Sequence, residues 1–251
     1  MRAETVAYAF LFSGALALGT SILYSLYILA FVGLGLTFWG ALLLFVKPTK
    51  YVKASLLDST AISSLKAIEQ MVTYLNYKGK AVYLPPGYLK SPKGGMVFIP
   101  SKENLGIPQA KEVAEGEVSP ENREGIFITP LGLDLANLYE NQMRRDFTKV
   151  DLNYLQKNLP RLFIEDLQIA ENLEISTDDH MIKVKATETI YNDLCKEVNK
   201  LSEVCHSLGC PLVSSIAVAL TRVTKKPVVI EKNSISEDGK AIEIQYRIVE
   251  E

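Results

Sequence analysis

The hydrophobic pattern divides the chain sharply near residue 46. From Thr5 to Val46 no side chain carries a charge, and charged residues are frequent from there to the end. A hydrocarbon core of about 30 Å needs about 20 helical residues for each crossing, so this stretch is long enough for two crossings. It predicts a transmembrane helical hairpin within residues 1–53, with helices at about 6–23 and 27–46 joined by a tight turn.

The basic residues next to this hairpin all lie at the end where its two termini meet, with Arg2 before the first helix and Lys47, Lys50 and Lys53 after the second. Lys and Arg near helix ends are retained on the cytoplasmic side of a membrane, and the turn between the helices has none. We therefore expect a multi-pass protein of the cell membrane with both termini in the cytoplasm and its lipid contacts in the hairpin. Tyr24 and Tyr27, next to the turn, are expected at the opposite membrane interface.

Two further hypotheses concern the hairpin. A cleaved signal peptide ending between Ala15 and Gly19 is the alternative for the first helix, although an apolar signal region is normally only about 7–15 residues long. If both helices remain, small residues predict where they touch. The predicted seam consists of Ser13, Ala15, Ala17 and Gly19 against Gly33, Thr37 and Ala41.

Residues 54–100 are predicted to form an amphipathic helix followed by a β-hairpin. The helix, at about 57–75, has one apolar stripe at mixed spacings of three and four: Leu57, Ala61, Leu65, Ile68, Val72 and Leu75. Such a stripe packs on the chain's own domain or on a second copy, so a homo-oligomer through this helix is one alternative. Two short strands follow, at about 81–84 and 96–99, and residues 101–124 have the composition of a linker or mobile loop.

The remaining segment, 125–251, predicts a mixed α+β domain. A strand at 125–129 and helices at about 131–143 and 146–157 come first. The last third then predicts strands at 170–175 and 181–186, helices at 189–207 and 211–224, and strands at 228–231 and 241–249. In the second of these strands Ile182, Val184 and Ala186 alternate with Lys183 and Lys185. The order is strand, strand, helix, helix, strand, strand.

This order resembles the vinyl-reductase-type domain family, which is related to subunits of the vesicle-tethering TRAPP complexes. The resemblance covers about residues 126–250 and includes the segments His206-Ser207-Leu208-Gly209-Cys210-Pro211 and Lys226-Pro227-Val228. It implies a domain that binds a small ligand or a protein partner. The family usually has cysteines in its last two strands, where this chain has Ser234 and Tyr246. The whole arrangement also resembles uncharacterised archaeal membrane proteins.

Charge and motifs exclude several function classes. The net charge is -2, so the chain lacks the overall basic footprint of a nucleic-acid-binding protein. Gly33 and Gly35 lie inside a predicted membrane helix and cannot cradle a nucleotide phosphate. Ser63 and Lys66 have Ser-x-x-Lys spacing without any accompanying motif. We therefore predict no catalytic residue; absence of enzyme activity is the favoured interpretation, and an enzyme centred on the cysteines stays open as the alternative.

One cluster could hold a ligand or metal: Cys195, Cys205, His206 and Cys210. Thiolate and imidazole groups suit zinc, and a Cys205–Cys210 redox pair is a further alternative. On one continuous helix, however, Cys195 and Cys205 would lie about 15 Å apart. Buried, unpaired thiols that pack like small apolar residues are therefore the expectation, without a disulfide framework.

The sequence as a whole predicts a membrane-anchored cytosolic domain that senses a ligand or serves as an interaction scaffold, with no evident catalysis and no assigned cofactor. The alternative is a metal-binding or thiol-redox protein centred on the cysteine cluster.

Overall fold

The computed structural model describes residues 3–45, 54–88, 95–102, 125–201, 203–236 and 240–250. The chain divides into two compact units, Met1–Val52 and Lys53–Glu251. The basic residues Arg2, Lys47, Lys50 and Lys53, and almost all of the predicted linker at 101–124, lie outside the described residues.

The first unit contains helices α1 (Ala3–Tyr24) and α2 (Tyr27–Phe45). Both are long and apolar enough to cross a membrane. Large apolar side chains such as Phe12, Ile22 and Phe31 are 70%, 81% and 80% exposed within the protein. Such a surface is compatible with a lipid bilayer, which would cover these side chains.

The two helices meet along small residues that recur every seven positions. Gly14 on α1 and Gly33 and Gly40 on α2 are buried. A Cβ on Gly14 would lie 2.5 Å from Thr37 Oγ1, and one on Gly33 would lie 2.9 Å from the backbone nitrogen of Leu18. Side chains at these positions would therefore push the helices apart.

The predicted seam was wrong by one position on α1 and also at its last residue on α2, where Ala41 is exposed and Gly40 is buried. Ala15 and Gly19 are exposed, and nothing lies within 4 Å of a Cβ built on Gly19. The buried small residues of α1 are instead Ala7, Gly14 and Ser21. Spacings of seven keep one seam in contact along a pair of supercoiled helices, whereas the prediction used spacings of four.

The connection between α1 and α2 is as short as predicted. The Leu26 amide donates to Ser21 O at 3.2 Å, and Ser21 Oγ donates to Leu26 O at 2.8 Å. Tyr24 and Tyr27 flank this turn and are 74% and 82% exposed. Their rings are therefore available at the hairpin end, as an interfacial position requires.

The second unit is a mixed α+β domain with one antiparallel sheet. Its strands are β1 (Val82–Leu84), β2 (Met96–Pro100), β3 (Gly125–Ile128), β4 (Asn172–Asp178), β5 (Met181–Thr187), β6 (Val228–Ile235) and β7 (Ala241–Ile248). Its helices are α3 (Ala54–Tyr74), α4 (Leu133–Met143), α5 (Leu152–Arg161), α6 (Asn192–Val198), α7 (Glu203–Leu208) and α8 (Pro211–Thr224), with a 3-10 helix at Phe147–Lys149 and a π-helical turn at Leu162–Asp166.

The strand order is β3-β2-β1-β6-β7-β5-β4. From the sequence, the segments 54–100 and 125–250 were predicted separately. Because β1 pairs with β6, both segments contribute strands to one sheet. On β5 the alternation of apolar and polar residues predicted the buried face correctly, since Ile182, Val184 and Ala186 are at most 2% exposed. A smaller apolar cluster of Val82, Leu84, Phe98 and Val229 occupies the other face.

Helix α8 lies at the centre of the larger core, and every residue from Leu212 to Val223 is buried. It begins at Pro211 and ends at Thr224, with the predicted bounds. Pro at the first helical position is favourable because its missing N–H would have no helical partner.

The predicted helix at 189–207 is wrong in its continuity, because the chain forms α6 and α7 with a break after Asn199. The order of elements that suggested the vinyl-reductase-type family therefore includes a third helix before β6. The predicted second helix at 146–157 is likewise a 3-10 turn followed by α5, which begins at the Asp151 cap. Pro160 lies inside α5, and the wider π turn follows it directly.

Helix α3 packs on its own domain. Leu65 and Val72 are 5% and 1% exposed, and Ala61 and Ile68 lie partly buried against the same core. The end of the stripe is different, since Leu75 is 40% exposed. Most of the apolar stripe is thus already covered within one chain, so a coiled coil between copies would have to displace this packing.

Candidate functional site

Cys195 and Cys210 form a disulfide, with their Cα atoms 5.4 Å apart. Cys195 belongs to α6 and Cys210 is the N-cap of α8, and both are fully buried. The break between α6 and α7 lets the chain reverse and brings the two residues together. The expectation of unpaired thiols is therefore corrected for these two cysteines, and Cys210 is joined to Cys195, not to Cys205.

The predicted metal ligands are not assembled into one set. Cys205 lies on α7, and its side chain is outside the described residues. His206 Nε2 lies 2.9 Å from Asn199 O, within the loop that the disulfide closes. Across the described residues, no group of three or more His, Cys, Asp or Glu side chains is placed to hold a metal ion. Two of the four candidate ligands are engaged with each other.

A pocket of about 290 Å³ lies beside this loop. Its walls come from three segments: residues 78–80 ahead of β1, residues 206–207 on α7, and residues 230–233 on β6. Ser207 ties two of these segments together, because its hydroxyl accepts a hydrogen bond of 2.8 Å from the Ala81 amide. The pocket therefore has a floor on the sheet and a wall on the disulfide-closed loop.

A β-bulge in β6 determines which side chains reach the pocket floor. Ile230 pairs with Tyr246 and Lys232 pairs with Gln245, so Glu231 is the extra residue. After the bulge Asn233 pairs with Ile244, and directly opposite residues in a sheet share a face. Ile244 is in the core under the helices. The bulge thus turns Asn233, instead of Lys232, toward the helix-covered face.

Among the residues that the structure describes, Asn233 has no hydrogen-bond partner for its side-chain amide. Both Oδ1 and Nδ2 are buried and unsatisfied. A buried polar group left unpaired costs about 1–3 kcal/mol, and such groups are few in folded proteins. Asn233 also lines the pocket, so an occupant would lie next to this amide.

Charge at the pocket is mostly positive. Lys78, Lys80 and Lys232 contribute three ammonium groups against the single carboxylate of Glu231. Lys80 and Arg247 donate to Glu231 at 2.9 and 2.6 Å. Partial burial alone would raise the pKa of Glu231, but the hydrogen bonds from these two cations lower it, so the carboxylate stays ionised and neutralised. Lys78 and Lys232 have no ion-pair partner among the described residues.

A second set of polar side chains lies on and around α8, and its members are hydrogen-bonded. Ser214 Oγ accepts from the Gly132 amide at 2.9 Å, and Ser215 Oγ lies 2.8 Å from the Tyr139 hydroxyl. The Tyr246 hydroxyl donates to Val213 O at 2.9 Å. Burial raises the pKa of Tyr139 and Tyr246 well above that of an exposed tyrosine. These hydroxyls hold the helices and sheet together, and their neutral state suits a structural role.

Arg222 is the largest fully buried side chain of the described residues. Its NH1 lies 2.8 Å from Glu140 Oε2, and its NH2 donates to Asn137 Oδ1 at 2.7 Å. Desolvation lowers the pKa of Arg222, while the Glu140 charge opposes that shift. The pair joins α8 to α4, so this charge also has a structural role.

Of the residues that line the pocket, only His206 was predicted from the sequence, as a candidate ligand or metal residue of the cysteine cluster, whereas Asn233 and the lysines were missed. Lys78, Lys80 and Lys232 are far apart in the chain, and each looks like an ordinary exposed residue. The only local signal was the polar run Glu231-Lys232-Asn233-Ser234 between the apolar ends of β6, which could have indicated a bulge.

Comparison with known proteins adds one finding. Searches of curated proteins and of solved structures found no match to the chain. The family model described as "Domain of unknown function (DUF7982)" matches residues 1–248, which include both the apolar hairpin and the α+β domain. The chain therefore belongs to the DUF7982 family.

Proposed function

We propose that the protein is a membrane-anchored receptor domain that binds a small molecule in the pocket between β6 and α7. The observation that carries the proposal is the unpaired amide of Asn233 at the pocket floor. Binding sites are where folded proteins retain polar groups that their own structure does not satisfy. A small-ligand role is also what the resemblance to the vinyl-reductase-type family implies.

The α1–α2 hairpin supplies the anchor in this proposal. The lysines that follow it and Arg2 ahead of it favour a cytoplasmic location for both termini, so the domain would work in the cytosol. Fusing a fluorescent protein that matures only in the cytoplasm to the C-terminus tests this orientation. Bright cells are the expected result, and a dark but stably produced fusion would place the domain on the other side.

Ligand binding is tested with the full-length protein in neutral detergent. Thermal unfolding is measured against a panel of small carboxylates, phosphates, sugars, amides and amines, for the wild type and for Asn233→Leu. We expect at least one compound to raise the transition temperature of the wild type but not of Asn233→Leu. Ser234→Ala, at the neighbouring position whose side chain lies on the opposite face of β6, is the matched control and should respond like the wild type. A panel without any such compound would count against the pocket as a receptor site.

The thiol or metal alternative rests on a different observation, the Cys195–Cys210 disulfide. Reduction would free two thiols near His206. Full burial of both sulfurs argues for a structural bond, because reactive cysteines are normally partly exposed. Zinc analysis of the reduced, full-length protein decides between the two: stoichiometric metal that is lost in Cys195→Ala would favour the alternative.

A further inference from the structure

We infer that the occupant of this pocket is a small oxyanion, a phosphate or the phosphate ester of a small molecule. This inference rests on the proposed function and adds the chemical class of the ligand. Its basis is the juxtaposition of unpaired ammonium groups, an imidazole and a buried amide around one small cavity.

The free charge at the pocket is positive. Glu231 is already paired with Lys80 and Arg247, so it does not offset the remaining lysines. Lys78 and Lys232 both line this cavity, Lys78 from the segment ahead of β1 and Lys232 from β6, where its side chain leaves the strand on the face opposite Asn233. Within the described residues neither has a carboxylate partner. An anion between them would gain two charge-assisted contacts.

Hydrogen-bonding groups complete the match with an oxyanion. The His206 ring donates from Nε2 to Asn199 O, so Nδ1 of the neutral ring is an acceptor and suits the P–O–H group of a protonated phosphate. The Asn233 amide offers Nδ2 as a donor once an acceptor is present. A phosphate has several acceptor oxygens and can engage lysine, imidazole and amide together.

The volume limits the size of the ligand. About 290 Å³ is at the lower end of the range for small-molecule sites. Inorganic phosphate or a compact phosphate ester fits this space, whereas a dinucleotide does not. Because the bulge and the disulfide-closed loop form the walls, the site is built from backbone features as well as from surface lysines.

The test uses isothermal titration calorimetry on the full-length protein in neutral detergent, with inorganic phosphate and pyrophosphate as probes in chloride-matched buffer. Three variants are compared with the wild type. Lys78→Gln/Lys232→Gln removes the unpaired charges, and Asn233→Leu removes the amide. Lys66→Gln/Lys157→Gln removes equal charge at exposed lysines that do not line the pocket.

We expect saturable binding of at least one probe to the wild type and to the Lys66→Gln/Lys157→Gln control. Affinity should fall about tenfold or more in Lys78→Gln/Lys232→Gln, the effect expected for loss of charge-assisted bonds, and should also fall in Asn233→Leu. Equal weakening in both lysine pairs, or no saturable binding to the wild type, would overturn the inference. If an uncharged or cationic compound binds instead, and Asn233→Leu abolishes that binding, the anion assignment fails while the proposed receptor function stands.

Discussion

The hairpin and the domain both bring backbones into close contact, but they stabilise that contact differently. In the hairpin Gly14 and Gly33 allow α1 to approach α2, and the outward side chains are apolar. In the domain Gly132 lies against the first turn of α8, where Ser214 Oγ accepts its amide hydrogen. Between the apolar helices of the hairpin packing alone can hold the contact, whereas the α+β domain adds buried hydrogen bonds around it.

The largest effect is expected for Gly132→Val. A Cβ at this position would lie 2.1 Å from the backbone nitrogen of Ser215, and backbone atoms of α8 cannot move aside. We expect the domain to lose about 4 kcal/mol or more, or to fail to fold. Denaturant unfolding followed by near-ultraviolet circular dichroism measures this loss.

Gly14→Val is the counterpart in the hairpin. The chain has one tryptophan, Trp39 on α2, so its fluorescence reports the hairpin alone. In lipid vesicles Gly14→Val should change Trp39 quenching and leave the domain's unfolding transition in place. Gly19→Ala, with open space at its Cβ, should change neither. A shift of the domain's unfolding transition in Gly14→Val would contradict the comparison, which treats the two contacts as separate.

The second-largest loss of stability is expected when the buried ion pair of Arg222 and Glu140 is broken. Glu140→Ala leaves Arg222, which is only 2% exposed, without its carboxylate. Removing one partner of a buried pair costs about 3–5 kcal/mol, and the partial exposure of Glu140 places our expectation at the lower end. Glu243→Ala, which breaks the exposed pair with Lys185, should change the free energy of unfolding by less than about 1 kcal/mol. Similar losses in the two variants would show that burial of Arg222 is not the cause.

The disulfide should contribute about 2–4 kcal/mol, since it closes a loop with a sequence separation of 15. Reductant is therefore expected to lower the unfolding temperature of the wild type and of Cys205→Ala. The double variant Cys195→Ala/Cys210→Ala should already unfold at the lower temperature and should not respond. A reductant response in the double variant would assign the effect to Cys205.

Alkaline pH offers a smaller test of the same core. Burial raises the pKa of Tyr83, Tyr139 and Tyr246 above that of an unfolded tyrosine, which is about 10. The stability that these neutral hydroxyls provide is complete below about pH 10 and is lost as pH rises toward the higher pKa of the folded state. Phenolate absorbance should show three of the 12 tyrosines ionising only when the domain unfolds. Ionisation of all 12 tyrosines before the domain unfolds would contradict this prediction.

The smallest expected effect has the opposite sign. Asn233→Leu removes an unpaired buried amide, so the ligand-free domain should gain up to about 1 kcal/mol while ligand binding is lost. Thermal unfolding without added ligand measures the gain. A clear loss of stability would indicate that the amide is satisfied in solution, for example by water.

Local patterns predicted those elements whose signals are local. Pro211 and the apolar spacing after it determined α8, and the uncharged run determined α1 and α2. The break after Asn199 was not predicted, because the apolar spacing continues through it and the contact between Cys195 and Cys210 is not local in the sequence. Likewise, nothing in the periodicity of β6 showed that Asn233 would face the helices, since one extra residue in a bulge reverses the alternation.

The pairing of β1 with β6 has a consequence for the order of events during synthesis. Lys80, just ahead of β1, bonds to Glu231 across a separation of 151 residues. The sheet therefore cannot close until nearly the whole chain has left the ribosome, by which time the apolar hairpin has long been available for insertion. Until then β1 and β2 have only each other and β3 as strand partners. If the hairpin is the membrane anchor that we propose, anchoring would precede folding, and the nascent domain would mature at the membrane surface.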